Sequence, residues 1–270
     1  MMAGEVRGMH LALCIKQVPQ KAEVIAEEGR YTLARQGVPS QINFHDLAAL
    51  EMALKLKRGF PLHVTVLTMG PPSAEEALRE ALALGADKGI LITHQALSGS
   101  DTLATSRVLA AALRRLRPSP SVVLFGARSS DSDTGHVPPQ VAEDLHLPFV
   151  SCATNMEVSG QELLVWRRFG RWIQTLRVKL PALVSVLGMD FKPRQVNIRE
   201  IPLAFEEKEV LVWGLKEIGL KEEEVGLQGS ATRVRRIRLS DEKRRGQLFK
   251  GPPQGAVRLI LRALEDKGVL

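Results

Sequence analysis

The residues best suited to chemistry lie in one stretch, "GARSSDSDTGHVPPQVAEDL", from Gly126 to Leu145. It combines small hydroxyl side chains with aspartates and a histidine, directly after the apolar run "SVVLF". In α/β proteins, ligands sit where the carboxyl ends of parallel strands meet the N-termini of the following helices. Backbone N–H groups and the helix dipole favour an anion there. The stretch therefore predicts either a phosphate site or an ordinary N-capping loop.

A second loop has similar chemistry. The segment "SGSDTLATS" (98–106) places a glycine, small hydroxyl side chains and Asp101 at a predicted helix start. Alone it favours a helix cap. Two such loops on one parallel sheet favour a nucleotide phosphate instead.

Other kinds of chemistry lack their motifs. The sequence has no GxSxG, HExxH, CxxC, Walker loop or GxGxxG. Cys14 and Cys152 form neither a metal pattern nor a disulfide framework, which is typical of a reducing cytoplasm. No apolar run approaches the roughly 20 residues that span a bilayer, so we expect no membrane insertion.

The elements that must position these loops alternate along the chain. Strand-like runs at 10–15, 63–68, 89–92 and 121–125 alternate with helical patterns at 46–57, 73–86, 101–116 and 138–145. This rhythm predicts a doubly wound, mainly parallel α/β sheet with helices on both faces. Asp46 is a plausible N-cap of the first helix, and Ser73 with Glu76 a capping box for the second. After Pro148, extended runs with turns at 160–161 and 170–171 predict antiparallel additions.

The C-terminal tail carries the net charge. Residues 226–270 hold eleven Lys and Arg against four Asp and Glu, a surplus equal to the +7 of the whole chain. Only one aromatic residue, Phe249, lies in this segment, so a protein partner is favoured over nucleic acid. We expect a domain over 9–230 and a basic C-terminal arm over 231–270 that ends in an amphipathic helix.

Several blocks of sequence together resemble one family, the beta subunit of electron transfer flavoprotein. The resemblance covers about Met9 to Leu270, and its "MGPPSAEEALREALALGAD" block is highly specific. The blocks, in chain order, are "CIKQVP", "GVPSQIN" followed by Asp46, "VTVLTMGPPSAEEALREALALGADKGIL", "GSDTLATS", "DSDTGHVPPQVAEDL", "LPALVSV", "KPR" and "GSATRV".

The resemblance implies an electron carrier. Such beta subunits pair with an alpha subunit that binds the redox FAD, and the heterodimer moves electrons from flavin dehydrogenases to a quinone oxidoreductase or another acceptor. The beta subunit holds AMP in simple members and a second FAD in electron-bifurcating ones. Because "RQGVPSQIN" and "GSDTLATS" resemble the group with bifurcating and nitrogen-fixation-linked members, we favour FAD over AMP.

The resemblance also implies site residues. The segment after Pro193 matches the family's partner-recognition loop, which assigns Ile198, Arg199 and Ile201 to partner binding; the alternative is that Ile198 packs on its own core. The implied cofactor-binding residues are Cys14, Asn43, Phe44, His45, Asp46, Met69, Asp101, Thr102, Thr105, Gly126, Arg128, Asp131, Ser132, Asp133, Thr134, Gly135, His136 and Val137.

The phosphate loop departs from the family pattern. Ser132 replaces a glycine that could adopt positive φ, and Pro138 replaces a glycine that could donate an N–H. His136 replaces a glutamine, and Arg128 stands where the family usually has glutamine. We therefore expect weakened binding, or replacement contacts from Arg128 and His136.

Two other classes remain open at this point. An adenine-nucleotide hydrolase would share this sheet but needs a Ser-Gly-Gly-x-Asp loop, and the sequence has "CIKQVP" after its first strand instead. A nucleic-acid-binding module would use the basic tail and show steeply salt-dependent affinity.

Overall fold

The computed structural model describes residues 8–20, 39–233, 246–249 and 251–270. The chain forms two compact units, Met1–Arg235 and Arg236–Leu270. None of the described helices has the length and apolar character that a membrane crossing requires.

Unit 1 is built on a nine-stranded sheet. Its strand order is β11-β5-β4-β1-β6-β10-β7-β8-β9, while β2 and β3 form a separate antiparallel pair. The pairs from β11 through β7 are parallel, and β7, β8 and β9 are antiparallel. The predicted fold class is therefore confirmed. The strands are β1 (Met9–Cys14), β2 (Gln17–Pro19), β3 (Ser40–Ile42), β4 (Leu62–Met69), β5 (Lys88–Ile92), β6 (Val122–Gly126), β7 (Phe149–Ser159), β8 (Glu162–Phe169), β9 (Trp172–Lys179), β10 (Ala182–Val186) and β11 (Val210–Trp213).

Helices cover both faces of the parallel part. Successive residues of β1 point to opposite faces: Leu11 and Leu13 join the core under α1 and α2, and Ala12 and Cys14 join the core under α3 and α4. Burial on both faces explains the nearly continuous apolar strands. The helices are α1 (Phe44–Lys57), α2 (Glu75–Leu84), α3 (Thr102–Arg115), α4 (Val137–Asp144), α5 (Glu200–Glu206), α6 (Leu215–Ile218), α7 (Gly226–Gly229) and α8 (Pro253–Glu265).

Two predicted helix starts are wrong. Asp46 is not an N-cap: α1 begins at Phe44 after Asn43, and Asp46 is buried within the first turn. The Ser73–Glu76 capping box does not form, because a short 3-10 helix over Pro72–Ala74 precedes α2 and Ala74 takes the cap position. The Asp101 cap is present, since its carboxylate accepts the Ala104 N–H at 2.9 Å.

The antiparallel extension matches its prediction except at one strand. Gly160 and Gly170, with φ of 61° and 59°, form the two expected turns. The run at 182–186, expected to be antiparallel, instead lies parallel between β6 and β7. All five residues of this strand are buried, as expected for a central position in a parallel sheet.

Unit 2 contains helix α8, at the predicted place. None of its side chains is buried. Its large apolar residues Val257, Leu259, Ile260 and Leu261 are each 43–53% exposed. An apolar helix face left open in this way is typical of a binding surface.

Candidate functional site

The predicted phosphate loop follows β6, next to the end of β1. Cys14 and Phe125 are paired neighbours at the carboxyl ends of these two strands. Ile15 and Lys16 follow β1, and residues 126–137, here called the cradle loop, lie at the end of β6 and lead to α4. The site therefore lies at the sheet edge where ligands of α/β proteins bind.

The start of α1 holds the cradle loop in place. The Asn43 side-chain amide donates to the Arg128 carbonyl at 2.9 Å, and its oxygen accepts the Ser130 N–H at 3.1 Å. The Asp46 carboxylate accepts the N–H of Gly126 at 2.9 Å and of Lys16 at 2.8 Å. Asn43 and Asp46, which are expected to contact a nucleotide, thus hold the cradle loop in position.

Gly126 is required by this close packing. A Cβ on Gly126 would lie 2.2 Å from Asp46 Oδ1 and 2.7 Å from the His45 carbonyl carbon. Because Asp46 is fully enclosed, burial raises its pKa to about 7, although the hydrogen bonds from Lys16, Asn43 and Gly126 lower it. Burial likewise raises the pKa of the neighbouring Cys14 thiol, which stays protonated at neutral pH.

The two cradle carboxylates are paired with cations. The Lys16 ammonium lies 2.7 Å and 2.6 Å from the two oxygens of Asp131, whose side chain is only 2% exposed. Arg128 Nε lies 3.3 Å from Asp133 Oδ1 in a more exposed pair. Such pairing reduces the repulsion that two carboxylates would exert on a bound anion.

His45 faces the same region. Its Nδ1 accepts the Gly188 N–H at 2.8 Å. Burial and the nearby Arg128 lower the pKa of His45, so the ring is neutral at neutral pH. The exposed ring of Phe44 meets His45 edge-on at a centroid distance of 5.7 Å.

The backbone of the cradle loop presents donors. Positive φ occurs at Asp133 (50°) and Gly135 (64°) and not at Ser132, so the serine that replaces the family's glycine is not strained. Within the described ranges, the N–H groups of Thr134, Gly135 and His136 donate to no protein acceptor. Neither does the Thr134 hydroxyl. Backbone N–H groups without a protein acceptor can bind an anion, so the donor chemistry of this loop suits a phosphate.

The start of α4 offers fewer backbone N–H donors than a usual helix N-terminus. Pro138 and Pro139 occupy positions where N–H groups would otherwise point out of the helix. Val137 is half-buried and His136 is exposed. The expected loss of donors at Pro138 is therefore real, and the loop preceding the helix supplies most of the remaining ones.

The second loop lies at the start of α3, also at the carboxyl edge of the sheet. Thr102 and Thr105 are half-buried there. The Asp101 carboxylate accepts hydrogen bonds from Ala104 and from Thr232, so protein donors already engage both of its oxygens. Met69 ends β4 and packs half-buried against the core of the α3 face.

The predicted partner-binding residues lie at the start of α5. Ile198 is 79% exposed, so the alternative that it packs on its own core is wrong. Ile201 and Arg199 are also exposed.

Sequence reasoning missed one residue of the site, Lys16. Its only local signal is its place just after the first strand in "CIKQVP". Its partner Asp131 is 115 residues away, and no spacing pattern links such distant residues.

Comparison with known proteins identifies a family. Residues 31–213 match the family model described as electron transfer flavoprotein domain. The chain is 38% identical over 259 residues to an electron transfer flavoprotein subunit beta of Clostridium acetobutylicum, covering 96% of this chain and 99% of that protein. It is 40% identical over 236 residues to the protein FixA of Azorhizobium caulinodans, covering 85% and 84%.

A third relative is named as part of a larger complex. The caffeyl-CoA reductase-Etf complex subunit CarD of Acetobacterium woodii is 36% identical over 244 residues, covering 90% of this chain and 92% of CarD. Together these matches decide among the three function classes that the sequence left open. The chain belongs to the electron transfer flavoprotein family and is a beta subunit.

Proposed function

We propose that this beta subunit holds an adenine nucleotide in the cradle loop, within a heterodimer whose alpha subunit carries the redox FAD. The heterodimer would take electrons from a flavin-dependent dehydrogenase and pass them to a quinone oxidoreductase or another acceptor. The observation that carries the proposal is that the N–H groups of Thr134, Gly135 and His136 have no acceptor among the described residues.

The residues of the cradle have distinct roles in this proposal. Thr134 would contact a phosphate through its hydroxyl and its N–H. Asn43 and Asp46 would keep the loop in position through their bonds to residues 126–130. Asp131 and Asp133 would stay paired with Lys16 and Arg128.

FAD is our preferred nucleotide, with AMP as the alternative. A second flavin would supply a further electron-accepting ring, whereas AMP would be redox-inactive. The resemblance of "RQGVPSQIN" and "GSDTLATS" to the group with bifurcating members supports this preference. Thr102 and Thr105, which are half-buried at a second loop of the same sheet edge, would suit the longer dinucleotide.

Two surfaces would serve partner binding. The exposed Ile198, with Arg199 and Ile201, would dock on the dehydrogenase. The relative CarD is named as a subunit of a caffeyl-CoA reductase-Etf complex, which supports docking on such a partner. The arm, residues 231–270, would bind the alpha subunit, which would cover the apolar face of α8.

Cofactor content tests the proposal. The chain is co-expressed with its alpha subunit, and the purified heterodimer is analysed by ultraviolet–visible spectroscopy and by chromatography of the nucleotides released on denaturation. Two FAD per heterodimer would support the bifurcating type, and one FAD plus one AMP the simple type. One FAD with no second nucleotide would contradict the proposal.

A further inference from the structure

Lys16 connects the end of β1 to the cradle loop. Its backbone N–H donates to Asp46, and its ammonium reaches Asp131 across the site. One residue thus contacts both the carboxylate that fixes Gly126 and the most buried carboxylate of the cradle loop.

The ammonium group keeps binding capacity beyond this pair. An ammonium has three N–H donors, and the two Asp131 oxygens at 2.7 Å and 2.6 Å engage up to two of them. The Lys16 side chain is 36% exposed, whereas that of Asp131 is 2% exposed. In the part of the chain that the structure describes, the Lys16 ammonium has no partner besides Asp131. The cation therefore faces the open side of the pair.

A cation at this place would favour a bound phosphate. Pro138 and Pro139 remove two backbone donors from the helix start beside the cradle. Asp131 lies three residues before Thr134 in the chain, and the charge of Lys16 offsets the repulsion that its carboxylate would exert on an anion bound there. Arg128, the other cation of the loop, is engaged with Asp133 in a longer and more exposed contact.

We propose that Lys16 is the phosphate-binding cation of the cradle, and that its ammonium neutralises Asp131 while offering a remaining N–H to the nucleotide phosphate. This inference rests on the proposed function, because it assumes that a nucleotide occupies the cradle. It assigns the residue a binding role that depends on the phosphate and not on the base.

The test compares AMP with adenosine, which lacks the phosphate. Calorimetric titrations use the full heterodimer after its beta-subunit nucleotide has been removed. Lys16→Met should weaken AMP binding about 10- to 100-fold, as expected for a lost charged hydrogen bond. Adenosine affinity should change less than about twofold, and AMP affinity should become less dependent on salt. Lys16→Arg should stay within about fivefold of the native AMP affinity.

Lys57 provides a matched control. It forms a similar pair with Asp87 at 2.5 Å, with side chains 30% and 29% exposed, at the opposite edge of the sheet. Lys57→Met should leave AMP binding unchanged. The double variant Lys16→Met with Asp131→Asn removes both charges of the pair, so it is used if the single variant fails to fold. It should still bind AMP more weakly than native while binding adenosine normally.

The outcomes separate the two proposals. The role of Lys16 would be overturned if AMP and adenosine lost affinity equally. It would also be overturned if neither Lys16 variant that removes the charge lost affinity for AMP. Either result would leave the nucleotide site intact. If the native heterodimer binds neither AMP nor FAD, the proposed function fails and the role of Lys16 fails with it.

Discussion

Asp101 Oδ2 accepts two hydrogen bonds from Thr232, one from its backbone N–H and one from its hydroxyl, both at 2.9 Å. The Asp101 N–H in turn donates to Ser230 Oγ at 2.8 Å. The second polar loop of the sheet edge, "GSDT", is therefore joined to "GSAT", the segment that leads to the C-terminal arm. A position expected to bind the cofactor thus also holds the chain at Ser230 and Thr232 against the start of α3.

Replacing Asp101 with alanine should destabilise the heterodimer. The change removes the α3 cap and both bonds to Thr232, and loss of a cap alone costs about 1 kcal/mol. The midpoint of thermal unfolding should fall by about 2–4 °C. Asp101→Asn is the control, because asparagine also caps helices and should lower the unfolding midpoint less.

The effect of this substitution should depend on pH. Burial would raise the pKa of Asp101, but the hydrogen bonds from Ala104 and Thr232 outweigh it and hold the pKa below its ordinary value. A carboxyl group with a lowered pKa stabilises the fold at pH values above its unfolded-state pKa. This stabilisation is lost as pH falls through the folded-state pKa. An unfolding midpoint that is equal in native and alanine proteins at pH 7 would contradict the structural role.

Asp46 should give the opposite pH dependence. Its folded-state pKa of about 7 lies above the ordinary aspartate value, so the folded state binds this proton more tightly than the unfolded state. The stabilisation from this group is complete at pH values below the ordinary aspartate pKa, and it is lost as pH rises through about 7. Between pH 4 and pH 8 the free energy of unfolding should fall by up to about 4 kcal/mol on this account.

The variant Asp46→Asn isolates this contribution. Asparagine cannot titrate, so the decline between pH 4 and pH 8 should flatten relative to native protein. Urea unfolding at several pH values measures both curves. Parallel curves for native and variant proteins would show that Asp46 does not titrate in this range.

The sequence pattern predicted the strands and helices of the fold better than the side-chain contacts of the site. The apolar runs around β1 and β4 were recognisable because buried parallel strands are apolar on both faces. Asp46 was misassigned because cap signals are local, whereas its partners Lys16 and Gly126 lie 30 and 80 residues away. The Lys16–Asp131 pair was invisible for the same reason.

Removing residues 236–270, which form most of the arm, should abolish alpha-subunit binding without unfolding unit 1. We expect a chain truncated after Arg235 to keep unit 1 folded, because Thr232 and its bonds to Asp101 are retained. Co-purification with a tagged alpha subunit should be lost or weakened at least tenfold, since the apolar face of α8 is absent. Circular dichroism confirms folding. A truncated chain that still forms a stable heterodimer would rule out the arm as the main contact.

Shortening Ile198 should weaken dehydrogenase docking without changing the cofactors. A buried apolar anchor in an interface often contributes 1–2 kcal/mol or more, so Ile198→Ala should raise the KM of a cognate dehydrogenase for the heterodimer about 5- to 30-fold. The flavin spectrum should be unchanged. Val212→Ala, which shortens a 59% exposed residue on the β11 edge, is the control and should leave KM unaffected. Equal effects of both changes would remove the special role of Ile198.

Thr134 should decide whether the cradle loop binds a phosphate or only precedes a helix. Its hydroxyl and N–H have no protein acceptor in the described segments, and the positive φ of Asp133 and Gly135 shapes the turn around it. Thr134→Val removes the hydroxyl and keeps the shape, so AMP and FAD should bind about tenfold more weakly to nucleotide-free heterodimer. The same change at Thr175, exposed on the edge strand β9, should have no effect. Titration calorimetry measures both variants. If Thr134→Val protein binds both nucleotides as tightly as native protein, the hydroxyl takes no part in the site and the loop's polar residues serve the backbone alone.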